Sequence, residues 1–227
     1  MESACLQSWL SEIFGYQLLQ VGVADWLATA VSEASPIRCR CRVQSAASSG
    51  EGHCILAEAG LLPVATDSID LVFLPHTLDF SPDPRQVLRE VERVLIPGGR
   101  VVLAGFNPWS LWGLRRLLTL QKYRNLPWSG NFLGYVRLQD WLSLLGMEIE
   151  RTDVVMFRPP FQGDGLLKRS AWLEETGKQW WPMLGGVYLV QATKRVMRVT
   201  PLRPRWQRFR RLGKRVLEPT TSGMPHG

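Results

Sequence analysis

The sequence predicts an α/β fold, with a central, mostly parallel sheet flanked by helices. Three features of the stretch from Ile55 to Pro108 predict it. Two apolar runs, Ile69-Asp70-Leu71-Val72-Phe73-Leu74 and Arg100-Val101-Val102-Leu103-Ala104-Gly105-Phe106, have the length and continuity of strands buried on both faces of a parallel sheet. Between them lies a stretch of helical periodicity: Val87, Leu88, Val91, Val94 and Leu95 share one face, while Arg85, Arg89, Glu92 and Arg93 point to water. The punctuation agrees. Asp83-Pro84 supplies an N-cap and a first-turn proline, and Pro97-Gly98-Gly99 breaks the helix before the second strand, which empties into Asn107-Pro108.

Upstream, Ile55-Leu56-Ala57 leads through Glu58 to Leu61-Leu62-Pro63, and the first central strand ends at Pro75-His76. Downstream, Asp140-Trp141-Leu142 through Leu145-Gly146-Met147-Glu148 reads as a helix followed by a strand, and Val187 to Ala192 reads as the last strand. Taken in order, Glu58, Leu62-Pro63, Asp70, the Arg-Glu-x-x-Arg-x-Leu run Arg89 to Leu95 and Pro97-Gly98-Gly99 form an ordered set over about fifty residues. That set resembles the second half of the class I methyltransferase fold, in the subgroup called type 11, which uses S-adenosylmethionine. The resemblance implies a Rossmann-like fold with a seven-stranded, mostly parallel sheet. Leu74-Pro75-His76-Thr77-Leu78 together with Gly105-Phe106-Asn107-Pro108 is similar to a poorly characterised bacterial branch of that family.

The first half departs from the family pattern. Such enzymes end the first strand with an acid two positions before a Gly-x-Gly-x-Gly turn, whose glycines let backbone approach the cofactor. Here Gln20 stands at the acid, Gly22 keeps the first glycine, and Ala24 and Trp26 replace the other two, with Asp25 between them. The family's ribose-binding acid at the end of the second strand is also missing. If that strand is Ile37 to Val43, it ends at Gln44, and no acid follows until Glu51. The resemblance implies cofactor contacts from Gln20, Gly22, Ala24, Asp25, Gln44, Glu58, Ala59 and Leu74, with Glu58 near the adenine amino group. Two readings stay open: a remodelled pocket that still holds S-adenosylmethionine, or a methyltransferase fold that has lost it.

At 227 residues and 25.8 kDa, the chain suits one α/β domain with a sizeable core. No run approaches the roughly 18 consecutive apolar residues of a membrane span. Glu2 and Glu12 replace the basic start of a signal peptide, and Leu6, Trp9, Leu10, Ile13 and Phe14 follow helical spacing, so the expected location is cytoplasmic. Cys5, Cys39, Cys41 and Cys54 show no metal-ligand spacing and read as reduced structural thiols; no metal site is expected.

The net charge of +7 is uneven. From Lys194 onward ten basic residues face Glu218 alone, so this tail carries +9 and the remainder −2. The expected division is a catalytic-type domain over 1–193 and a basic tail over 194–227. Trp206, Phe209, Leu212, Val216 and Leu217 interleave with the arginines, which suits an amphipathic helix on nucleic acid or an anionic membrane surface. Pro201, Pro204 and Pro219 favour the alternative of a solvated extension.

His76 lies at the carboxyl edge of a central strand, where open α/β sheets bind ligands. It could serve as a general base with Asp79 orienting it, or could simply bond a loop. Asn107, Trp109 and Trp112 follow the next strand, and with Trp128 they could line an apolar acceptor site or pack the covering segment onto the body. Arg115-Arg116, Lys122 and Arg124 add basic character to that segment. The leading expectation is methyl transfer from S-adenosylmethionine to a small, apolar acceptor. The alternatives are a non-catalytic binding module engaging polyanions through its tail and an RNA methyltransferase.

Overall fold

A computed structural model of the chain describes residues 2–22, 34–45, 54–110, 113, 130–157 and 185–195. In chain order these form α1 (Glu2–Ser11), β1 (Gln17–Val21), β2 (Cys39–Gln44), β3 (Cys54–Leu56), β4 (Ile69–Pro75), α2 (Thr77–Phe80), α3 (Pro84–Val94), β5 (Leu95–Phe106), α4 (Tyr135–Leu144), β6 (Met147–Val155) and β7 (Val187–Lys194). One seven-stranded sheet takes the order β3-β2-β1-β4-β5-β7-β6. The β1–β2, β1–β4, β2–β3 and β4–β5 pairs are parallel, and β7 runs antiparallel between β5 and β6. The chain order reverses at β1 and β4, so the carboxyl ends of these two strands meet at the crevice where such sheets bind ligands.

Strand alternation sends odd and even positions to opposite faces, and each face is covered. On one side Leu6, Trp9, Leu10 and Ile13 pack with Leu18, Leu71, Phe73 and Val102. On the other, Val87, Leu88, Val91 and Val94 of α3 and Leu138 and Leu142 of α4 pack with Leu19, Val72, Leu74, Val101 and Leu103. Each buried aliphatic side chain contributes about 1.5–3 kcal/mol, so these two layers hold the sheet. Phe14 does not join the first layer: α1 ends at Ser11, and the phenyl ring stays 79% exposed beyond it.

The α3 termini follow the sequence at one end and exceed it at the other. The Asp83 carboxylate accepts from the amides of Arg85 and Gln86 at 3.0 and 3.1 Å, with Pro84 in the first turn. The Pro-Gly-Gly segment does not separate helix from strand, because β5 already begins at Leu95. Ile69 pairs with Leu95 and Leu71 with Arg100, so the residues between bulge out of the ladder. Gly98 turns through φ 82°, and a β-carbon at Gly99 would sit 2.9 Å from the Ile96 carbonyl and 3.2 Å from those of Ile69 and Asp70.

Arg93 corrects the water-facing reading of its helix face. Its guanidinium donates to the carbonyls of Leu62 and Val64, both at 2.9 Å, and to Glu90, which in turn accepts from the Leu62 amide at 3.0 Å. The Arg-Glu-x-x-Arg run therefore ties the loop after β3 to α3, and the hydrogen bonds with Arg93 hold the Glu90 carboxyl below its ordinary pKa. Asp70 likewise belongs to the frame, accepting from the amides of Tyr16 and Gln17 at the start of β1. Lys194 belongs to β7, where it donates to the carbonyls of Glu92 and Leu95 and to Asp67.

Candidate functional site

The C-terminal edge of the parallel strands brings together Gly22 after β1, Gln44 at the end of β2, Glu58 after β3, His76 after β4 and Asn107 after β5. Ala24, Asp25 and Trp112, like Trp26, Arg115, Arg116, Lys122, Arg124, Trp128 and the tail from 196 onward, lie outside the described residues.

His76 occupies the left-handed region, with φ 54° and ψ 15°, at the turn from β4 into α2. That conformation is uncommon for a residue with a β-carbon, and such outliers concentrate at functional sites. The turn places the imidazole inside the protein, only 5% exposed, stacked on the Phe106 ring at 4.1 Å. Nδ1 lies 3.2 Å from Asp79 Oδ2, an oxygen that also accepts the Phe106 amide at 2.9 Å. Burial pushes the Asp79 carboxyl above its ordinary pKa, although the His76 ring and the Phe106 amide work the other way. The spacing His-x-x-Asp was legible in the sequence; its burial and its stacking partner were not.

Segment 130–134 fastens onto this pair. The Asn131 amide donates to the Asp79 carbonyl at 2.5 Å, Phe132 stacks on Phe106 at 5.0 Å, and the Tyr188 hydroxyl donates to the Leu133 carbonyl at 3.0 Å. Burial drives the Tyr188 pKa well up, so this phenol stays protonated as a donor. Phe80 meets Phe106 edge-on at 6.5 Å and keeps its own ring 41% exposed. No sequence spacing marks Tyr188, Phe132 or Leu133, because the chain reaches this point from three distant segments.

Gly22 is required by the turn itself. Its φ is 119°, its amide bonds the Val43 carbonyl at 2.9 Å, and a β-carbon there would meet Thr77 Oγ1 at 2.5 Å. The Thr77 hydroxyl donates to the Val21 carbonyl, which seals the β1 turn against the β4 turn. Gln20 and Gln44 are buried. The Gln20 amide nitrogen is sealed from solvent and has no hydrogen-bond partner among the described residues, while Gln44 accepts from the Cys54 thiol at 3.3 Å. Glu58 is exposed, with its carbonyl accepting the Leu61 amide, and Ala59 packs against the core.

Two expected site residues also serve the frame. The Leu74 side chain is fully buried in the core against α3, so only its backbone faces the edge. The Asn107 side chain donates to the Gly185 carbonyl at 3.0 Å and accepts the Trp109 amide at 3.1 Å, which fixes the loop after β5. That turn leaves Trp109 81% exposed beside the edge.

A buried donor at the end of β1, a glycine turn with positive φ beside it and an acid on the loop after β3 fit a bound nucleoside with a polar amino-acid side arm. The strand order and the sequence profile together define a class I S-adenosylmethionine-dependent methyltransferase of type 11, and the chain belongs to that enzyme family. The profile described as "Methyltransferase domain" matches residues 9–103. Among individual proteins, the chain is 31% identical over 195 residues to "Uncharacterized protein YafS" of Escherichia coli (strain K12), covering 86% of this chain and 75% of that one. It is 36% identical over 104 residues to "Methyltransferase GfsG" of Streptomyces halstedii, covering 40% of this chain and 37% of that one. The crystal structure of an S-adenosylmethionine-dependent methyltransferase from Archaeoglobus fulgidus superposes with a TM-score of 0.60 at 15% identity, covering 85% of this chain and 93% of that one.

Proposed function

We propose that the chain transfers a methyl group from S-adenosylmethionine to a small, apolar acceptor, with His76 as the base. The observation that carries this reading is the buried His76–Asp79 pair at the carboxyl edge of β4. Gly22, Gln44, Glu58 and Ala59 would hold the cofactor at the adjoining strand ends, and the bound cofactor supplies an electrophilic methyl group. With Nδ1–H donated to Asp79, the imidazole keeps its basic nitrogen at Nε2, from which it takes the proton of the acceptor's nucleophile. The Phe106 ring fixes the imidazole plane, and the phenyl groups of Phe80, Phe106 and Phe132 supply apolar surface for the acceptor. Trp109, exposed on the loop that follows Phe106, would extend that surface. Most of the acceleration in such a displacement comes from positioning, which a rigid, stacked base provides.

A scaffold that only presents a basic tail has no use for a buried imidazole–carboxylate pair whose carboxyl is pushed away from its ordinary pKa, so catalysis is the better reading. All four cysteines are in the thiol form, which suits action in a reducing compartment such as the cytoplasm. Among the described residues no helix is long and apolar enough to cross a membrane. The test is His76→Ala in an acceptor screen that reads S-adenosylhomocysteine release. Turnover should fall by about 10²–10⁴-fold with cofactor affinity nearly unchanged, and unchanged turnover removes His76 from the mechanism.

A further inference from the structure

We propose that Tyr188 is a positioning residue for His76, acting through the segment 130–134 that packs on Phe106. The inference rests on the reading above, that His76 is the base. Tyr188 sits on β7 directly opposite Gly105 on β5. A β-carbon on Gly105 would lie 2.4 Å from the phenol oxygen and 2.5 Å from the ring carbon that bears it, so the ring fills the space a side chain at 105 would need. The glycine thereby lets a tyrosine lie across β5, one residue before Phe106.

The hydroxyl carries this placement to the site. Tyr188 is 2% exposed, and burial, with the Asp79 carboxylate nearby, keeps the phenol protonated. A buried hydroxyl needs a partner, and this one donates to the Leu133 carbonyl at 3.0 Å. Phe132 comes one residue earlier, and on its other side the Asn131 amide donates to the Asp79 carbonyl. Phe132 is thus pinned through both neighbours. Its ring stacks on Phe106 at 5.0 Å with 27° between the planes, and the imidazole stacks on Phe106 at 4.1 Å with 25°. Two rings stacked that closely cannot share a face, so Phe106 is held between Phe132 and His76. Without the phenol hydroxyl the Leu133 carbonyl loses its buried donor, Phe132 loses one of its two pins, and the Phe106 ring is loosened on the side away from the imidazole.

The experiment is NMR of the full chain, reading the imidazole protons of His76, one of three histidines, identified by their loss in His76→Ala. Stacked on a phenyl face, these protons should resonate upfield of those of an unstacked imidazole. In Tyr188→Phe they should move back toward the unstacked position, and Gly105→Ala should do the same with the phenol still present, because its β-carbon displaces the ring. Val91→Ala, a core truncation on α3, should leave them in place although it also lowers stability. In the acceptor screen Tyr188→Phe should lower turnover about tenfold to a hundredfold, with cofactor affinity unchanged. Unmoved imidazole protons in Tyr188→Phe, or an equal shift in Val91→Ala, reduce Tyr188 to a packing residue and overturn the inference. Full turnover in Tyr188→Phe, where His76→Ala is slow, overturns it too. Full turnover in His76→Ala overturns the base reading and this inference with it.

Discussion

Substituting Gly22 by alanine should destabilise the fold by an amount that depends on Thr77. At φ 119° an alanine is strained by about 1–3 kcal/mol, and its β-carbon would meet Thr77 Oγ1 at 2.5 Å. Relieving that overlap requires the threonine to turn away, which breaks its hydrogen bond to the Val21 carbonyl and adds about 1 kcal/mol or more. Gly22→Ala should therefore cost about 2–4 kcal/mol in all. Thr77→Ala alone should cost about 1–2 kcal/mol for the lost bond and the orphaned carbonyl. The double variant has no hydroxyl to displace, so the two costs should fall short of additivity by about 1 kcal/mol. Urea denaturation of the four proteins, compared at equal m-values, reads this directly. Strict additivity would refute the claim that this turn is closed by contact between the β1 and β4 loops, and would leave only backbone strain.

The remaining predictions concern the dyad and the helix that leads away from it. Because burial raises the Asp79 pKa, the folded chain holds that proton to higher pH than the unfolded chain, whose carboxyl titrates near about 3.9. From that pH up to the raised folded value the native state binds more protons, so wild-type stability should fall relative to Asp79→Asn across the window and level off above it. Urea midpoints of the two proteins measured from acid to neutral pH check this; a flat or rising difference contradicts it. Asp83→Ala removes the cap on two amides of α3 and should cost about 1 kcal/mol, lowering the thermal midpoint by about 2–4 °C; an unchanged midpoint would mean that the cap contributes nothing.

The parts of the fold that local pattern specifies were legible in the sequence. Asp83, Pro84 and the Val87–Val94 face define α3 through capping and a 3.6-residue period, and the apolar runs of β4 and β5 reveal their burial without reference to any partner. What escaped depends on contacts between distant segments. Arg93 looks like a solvated arginine until the loop after β3 offers its carbonyls, and the framing bonds of Asn107 show only once Gly185 and the Trp109 amide meet its side chain. Phe14 continued the helical spacing of α1, but periodicity alone does not show where a helix stops. At the site, His76 and Asp79 were legible as a spaced pair, whereas Phe132, Leu133 and Tyr188, which close around them, come from chain positions with no motif. Gln20 was visible only as a mismatch to a family pattern; the sheet turns that mismatch into a buried donor beside a glycine turn.

The central claim is that this edge still holds S-adenosylmethionine although Gln20 and Gln44 stand where carboxylates would be expected. Calorimetric titration of the purified full chain with S-adenosylmethionine tests it most directly. The account predicts saturable binding at one site per chain that weakens in Glu58→Ala. Absence of binding by a protein shown to be folded would contradict it.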